Sequence, residues 1–332
     1  MNNTDIIITS EKQITLSNCM PPPSSKETVA EIIKGITSKP RYIPTRFFYD
    51  GTGSALFEKI TGLPEYYPTR TEKGILKENA AVIARDLADT DIVELGSGDC
   101  SKISILFDVI PPERRRTICY IPVDVSRSAI LESAETLSRK YPEISIHGML
   151  ADFLKHLSNI PGKKRRVFCF FGSTIGNMDP AQTSHFISNL GSLMRKGDQL
   201  LLGFDMVKDT VVLENAYNDT WGVTAEFNKN ILRVVSNLII TDIDPEHFDH
   251  VAFYNTRESR IEMHLKALKD IDVESPHLSA KITIGRGETI HTENSCKFTG
   301  PRISVLADEA GLRIDKVFTD DNHWFSVAHF LK

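Results

Sequence analysis

The chain has 332 residues, enough for one large domain or two modest ones. With 41% hydrophobic and 25% charged residues it has the balance of an ordinary globular protein, and no apolar run approaches the roughly 20 residues that cross a bilayer. A net charge of -5 and the absence of a long basic block argue against a nucleic-acid partner.

Residues 1–25 read as a loose arm, ending in a proline run at 21–23 that blocks both helix and central strand. Lys26 to Ser38 follows with apolar residues at Val29, Ile32, Ile33 and Ile36, a helical spacing. Two segments dense in aromatics, glycines and prolines, 41–53 and 63–70, do not read as regular elements. From about residue 90 a rhythm sets in. Strands are predicted at Asp91 to Leu95, Ile118 to Val123, Ile144 to Leu150, Val167 to Phe171 and Gln199 to Phe204. Helices alternate with them, one capped by Ser126 and one begun by Asp179-Pro180. The basic run Lys163 to Arg166 is read as a solvated loop. The stretch 205–295 breaks the rhythm, with a helix over Ala225 to Asn237 among strand-like pieces. Ile314 to Phe318 and Trp324 to Phe330 read as a terminal hairpin.

Strand–helix alternation implies right-handed crossovers and a mostly parallel, Rossmann-like α/β sheet. The expected division is residues 66–204 plus 296–332 for the sheet domain. A smaller α+β domain then takes 26–65 plus 205–295. The cysteines Cys19, Cys100, Cys119, Cys169 and Cys296 are scattered, which fits structural thiols in a reducing cytoplasm. His247 and His250 are close in sequence but read as surface residues, and no metal is expected.

Ligands of open α/β sheets bind beyond the carboxyl ends of the strands. Gly96-Ser97-Gly98 after the first strand lets backbone approach a ligand, yet position 101 is Ser, so the third glycine of a dinucleotide fingerprint is missing. Glu94 before this loop would repel a pyrophosphate and suits a ligand with a cationic amino group. S-adenosylmethionine is such a ligand. Asp124 can accept from both ribose hydroxyls, and Asp152 with Phe153 can hold the adenine. Lys102, Val125, Gly172 and Ser173 lie at the same strand ends and are counted with the cofactor set. The competing reading of each acid is a helix cap.

The runs Phe48-Tyr49-Asp50, Leu63 to Arg70, Val93 to Gly98, Gly172 to Asn177, Phe227-Asn228-Lys229-Asn230, Arg260 to Met263 and Ser295 to Phe298 resemble the histidine-specific N-methyltransferase family. The resemblance runs from about residue 28 to the C-terminus. It implies the seven-strand class I methyltransferase sheet, S-adenosylmethionine as cofactor, and free histidine methylated on its α-amino group up to hercynine, in ergothioneine synthesis. It implies that Asn177 and Tyr217 bind the substrate carboxylate. Tyr66, Glu293 and Ser295 would surround the imidazole with Met263 packed against it, while Tyr49 and Thr174 lie near the amine. A monomer is expected. Other members act on tryptophan-derived amines, so another amine substrate is the alternative, and a non-catalytic cofactor-binding protein is a third reading. In the family pattern a small apolar residue separates the glutamate and the serine. Here it is Asn294, which faces away if the stretch is extended and enters the pocket if it is not.

Overall fold

The computed structural model describes residues 3–8, 13–22 and 25–332. Its strands in chain order are β1 (Asn3–Ile8), β2 (Gln13–Asn18), β3 (Arg41–Tyr42), β4 (Thr90–Leu95), β5 (Cys119–Asp124), β6 (Ser145–Leu150), β7 (Arg165–Phe170), β8 (Gln199–Asp205), β9 (Phe248–Asn255), β10 (Arg260–Ala267), β11 (Ile271–Val273), β12 (Ile282–Ile284), β13 (Thr289–Cys296), β14 (Arg313–Thr319) and β15 (Phe325–Leu331). The chain folds as two units. One comprises Pro68–Val207, Lys297–Lys332 and the described part of Met1–Met20, and the other Pro21–Tyr67 with Lys208–Cys296.

In the first unit nine strands form a mixed sheet in the order β1-β2-β6-β5-β4-β7-β8-β15-β14. The run from β2 to β8 is parallel, and β15 is antiparallel to both β8 and β14. Every residue of β4 and of β8 is buried, as in a sheet covered on both faces. Covering helices start where the sequence supplies caps. Ser126 Oγ accepts from the Ala129 N–H ahead of the helix Arg127–Lys140, whose Ile130, Ala134 and Leu137 are buried. Asp179 and Gln182 form a reciprocal capping box at the helix Pro180–Leu193.

The sheet has nine strands where seven were expected, because the supposed arm supplies two. The stretch Gln13–Asn18 alternates polar and apolar residues, and Ile14 and Leu16 are wholly buried against the sheet. The basic run is a solvated loop only in its first half, where Lys163 and Lys164 are exposed ahead of β7. Arg165 and Arg166 open β7, and the Arg166 guanidinium is buried against Asp198 at 2.8 Å. The Lys163 and Lys164 amides donate to Asp91. The aromatic-rich segments contain helices at Gly51–Thr61 and Tyr67–Ile83. Asp50 caps the first, accepting from the Gly53 N–H at 2.7 Å.

In the second unit β3-β13-β10-β9 form a four-stranded sheet, with β11 and β12 as a separate pair. The helix Val223–Ile239 buries Phe227, Asn228, Asn230, Ile231, Leu232 and Val235. The reading of His250 as a surface residue is corrected by its place on β9. It is half-buried, with one ring nitrogen 2.8 Å from Asn228 Nδ2 and the other 2.9 Å from the Tyr217 carbonyl.

Candidate functional site

The first cluster lies in the sheet-bearing unit, at the carboxyl ends of β4, β5, β6 and β7. Glu94, on β4, is 2% exposed, and the Tyr120 hydroxyl of β5 donates to it at 2.5 Å. Burial pushes the Glu94 carboxyl up to about 8, while the Tyr120 hydrogen bond and the Lys102 charge pull the other way. The chain then turns through Gly96 at φ 65° and Gly98 at φ 51°, a left-handed conformation that favours glycine. A side chain on Gly96 would stand 3.8 Å from the Phe153 ring, so the loop and that ring face each other.

Asp124 ends β5. Its two oxygens accept from the Gly98 N–H at 3.1 Å and the Ser126 N–H at 2.9 Å. Burial raises its pKa, and these backbone donors oppose the rise. Asp152 is a helix cap, accepting from the Leu154 N–H at 2.9 Å, so the competing reading of that acid holds for one of its oxygens. Phe153 packs edge-on against Phe170 with ring centres 5.1 Å apart. Val125 is half-buried beside Asp124.

After β7, Gly172 and Ser173 are both left-handed, at φ 78° and 56°. The Ser173 hydroxyl accepts from the Asp205 N–H at 2.9 Å, a tie to the end of β8. Thr174 donates its hydroxyl proton to the Phe171 carbonyl at 3.0 Å, which leaves its oxygen as an acceptor. Asn177 ends the short turn Thr174–Asn177 and is half-buried.

Sequence reasoning missed the group that organises these loops. Glu72, on the helix Tyr67–Ile83, is fully buried. It accepts from the Gly172 N–H with both oxygens, at 2.8 and 2.9 Å, and pairs with Lys102 Nζ at 2.7 Å. Any side chain on Gly203 of β8 would collide with it. The available signal was an acid on the helix's apolar stripe, in line with the buried Ile75 and Leu76. A second missed pair is Lys297 with Asp205, both buried, 2.7 Å apart.

These features fit S-adenosylmethionine. The Ser97 hydroxyl is buried without a hydrogen-bond partner in the middle of the glycine turn, a site that waits for a polar ligand. Carboxylates at three successive strand ends suit a ligand with an ammonium group and ribose hydroxyls. Among the described residues no group of three or more His, Cys, Asp or Glu side chains is placed to hold a metal ion.

The second cluster lies in the other unit. Tyr66 and Tyr217 meet at 6.2 Å between ring centres, and Tyr66 also meets Phe57 at 6.3 Å. Tyr49 packs edge-on against Phe57 and Phe227. The Tyr217 hydroxyl lies 2.7 Å from Ser295 Oγ. Met263 on β10 stands directly opposite Glu293 on β13, and both are buried. The structure thus brings Tyr49, Tyr66, Tyr217, Met263, Glu293 and Ser295 into one unit, and places Thr174 and Asn177 with the strand-end acids in the other. Asn294 is on the opposite face from Glu293, with its Oδ1 2.9 Å from His291 Nε2.

A mostly parallel sheet whose strand ends carry acids around a glycine turn is the architecture of a nucleoside-binding α/β protein. The chain belongs to the family described as histidine-specific, S-adenosylmethionine-dependent methyltransferases, whose pattern it matches over residues 28–332. It is 42% identical over 319 residues to the histidine N-alpha-methyltransferase of Mycolicibacterium smegmatis, covering 95% of this chain and 98% of that one. It is 40% identical to the protein of the same name from Mycobacterium tuberculosis, covering 90% of this chain and 92% of that one. It also resembles ergothioneine biosynthesis protein 1 of Neurospora crassa, at 34% identity over 60% of this chain and 23% of that one.

Proposed function

We propose that this enzyme methylates the α-amino nitrogen of free L-histidine, up to the trimethylated product hercynine, as a step of ergothioneine synthesis. The family and the names of its relatives support this reading. The observation that carries it is the buried Glu293, opposite Met263 in the strand ladder and two residues from Ser295, whose hydroxyl lies 2.7 Å from that of Tyr217. An imidazole offers such a carboxylate an N–H, and its second nitrogen can meet a hydroxyl. A site built to hydrogen-bond a polar ring rejects apolar rings by a large factor.

S-adenosylmethionine supplies a methyl group already activated on sulfur, so the protein's share of the work is binding, alignment and proton handling. In the sheet-bearing unit Glu94 takes the cofactor's ammonium group, Asp124 its ribose hydroxyls, and Asp152 with Phe153 its adenine. Gly96, Ser97 and Gly98 give it a close backbone and a hydroxyl. Lys102 and the Gly172-Ser173 turn are held beside them by Glu72. The same unit brings the Asn177 amide for a carboxylate and the Thr174 oxygen as acceptor for an amine N–H. The smaller unit brings Tyr66, Met263, Glu293 and Ser295 for the ring, Tyr217 for the carboxylate and Tyr49 for the amine. An α-ammonium is mostly protonated near pH 7, so it must shed a proton before it reacts. On this reading Thr174, Tyr49 or water provides the path for that proton.

The test is direct. The protein is incubated with labelled S-adenosylmethionine and each of the twenty common amino acids, and products are weighed by mass spectrometry. Histidine carrying one to three extra methyl groups on its α-nitrogen is expected. Preferential labelling of tryptophan, or of the imidazole ring, would refute the reading.

A further inference from the structure

The motif Phe227-Asn228-Lys229-Asn230 takes no direct part in the chemistry above, yet Asn228 is wholly buried. Its side chain stitches three strands together. Nδ2 lies 3.0 Å from the His264 carbonyl on β10 and 2.8 Å from His250 Nδ1 on β9. Its Oδ1 accepts from Thr292 Oγ1 of β13 at 2.7 Å. The Thr292 hydroxyl also lies 3.1 Å from the Met263 carbonyl. Since His250 Nδ1 accepts from the amide, its Nε2 carries the proton and donates to the Tyr217 carbonyl.

Thr292 occupies a special place in the ladder. Glu293 pairs with Met263 and His291 with His264, so Thr292 has no residue opposite it and forms a β-bulge. A bulge resets the two-residue alternation. Ile290 faces the helix side of the sheet, paired with the buried Leu265. In a regular strand the residues sharing that face would be 292 and 294. With the bulge they become Glu293 and Ser295, and both are buried while Asn294 is turned out toward His291. One extra residue therefore decides whether a glutamate or an asparagine stands on the buried, helix side of the sheet.

We propose that Thr292 and Asn228 are positioning residues for substrate recognition: their hydrogen bond locks the bulge that turns Glu293 and Ser295, instead of Asn294, to the substrate side. This inference rests on the reading of Glu293 as the imidazole acceptor. It gives the buried Asn228 a role in specificity as well as in packing.

The experiment compares Thr292→Val, which keeps the shape and removes the hydroxyl, with Thr292→Ser, which keeps the hydroxyl. Steady-state kinetics are measured for histidine and for 3-(2-thienyl)alanine, a similar amino acid whose ring has no N–H. Loss of one well-placed hydrogen bond should raise the histidine KM in Thr292→Val about tenfold and narrow the preference for histidine over thienylalanine by a similar factor. Thr292→Ser should restore both, and the cofactor Kd should stay within about twofold in each variant, as expected for independent sites. A simple loss of stability would depress both substrates alike, and that outcome overturns the proposal. In a Glu293→Gln background Thr292→Val should add less than about twofold, because the two act through one contact. A full tenfold effect there also overturns it. If Thr292→Val does not fold, Asn294→Ala decides: on the outward face it should change the histidine KM less than about twofold, and a tenfold change would refute the register argument. Glu293→Ala separates the two levels of the reading. Unchanged histidine binding in that variant removes the substrate assignment itself, whereas a strong effect there with none from Thr292→Val removes only the positioning role.

Discussion

The proposed contact of Glu94 with the cofactor's ammonium group predicts that S-adenosylmethionine binding is linked to a proton. Burial raises the Glu94 carboxyl to about 8, far above the ordinary 4.5, even though the Tyr120 hydrogen bond and the Lys102 charge pull it down. At pH 7 a group of that pKa is protonated in roughly ten of every eleven molecules, and about one hundred to one at pH 6. The proposed contact needs the carboxylate form, so binding at pH 7 should release about 0.9 proton from this residue. The apparent Kd carries the factor 1 + 10^(8 − pH), about 101 at pH 6 and about 11 at pH 7, so affinity should rise about ninefold over that interval. The cofactor's own amine keeps its charge there, since α-amino groups titrate near 7.7–8.0. Because the folded-state pKa is raised, the residue's contribution to stability is full below about 4.5 and is lost as pH climbs toward 8. The ligand-free protein should therefore be weakened in that window and the cofactor should offset the loss. Titration calorimetry at pH 6, 6.5 and 7, in two buffers of different ionisation enthalpy, measures both the Kd and the protons released. Glu94→Gln should bind more weakly, with no pH dependence and no proton release. A wild-type Kd constant within about twofold from pH 6 to 7, with no buffer dependence, would refute the reasoning.

Three other substitutions probe separate parts of the molecule. Glu293→Ala should weaken histidine binding about tenfold to a hundredfold while cofactor affinity holds, since hydrogen bonds to a charged group contribute about 1.5–3 kcal/mol; calorimetry with each ligand reads both. Asp124→Ala should do the reverse, with cofactor affinity falling about a hundredfold as two ribose contacts are lost, and equal cofactor Kd in this variant would remove its ribose role. Lys297→Met leaves Asp205 as a buried charge without its cation, and should cost about 3–5 kcal/mol in chemical denaturation, against less than about 1 kcal/mol for an exposed lysine such as Lys39.

Much of the sheet-bearing unit was legible because its signals are local. Buried parallel strands read as apolar runs, and the caps Ser126 and Asp179 stand within three residues of the amides they serve. Acids at the ends of β4, β5 and β6 could be placed on one edge of the sheet from alternation alone, since that alternation fixes which end of each strand faces the ligand. The alternating Gln13–Asn18 stretch was equally local, but its partner β6 lies more than a hundred residues on, and the neighbouring prolines outweighed it.

What only the tertiary structure decided depends on partners remote in the chain. Glu72 gains its meaning from Gly172, and Tyr120 from Glu94 on the next strand. The smaller unit's ring of side chains is gathered from residues 49 to 295, and only the resemblance, not any local pattern, had named them together. The orientation of Asn294 turned on a single unpaired residue, Thr292, held by an asparagine from a helix some sixty positions earlier. A strand's two-residue period can be read from sequence, but the point at which a bulge resets it depends on what lies across the ladder.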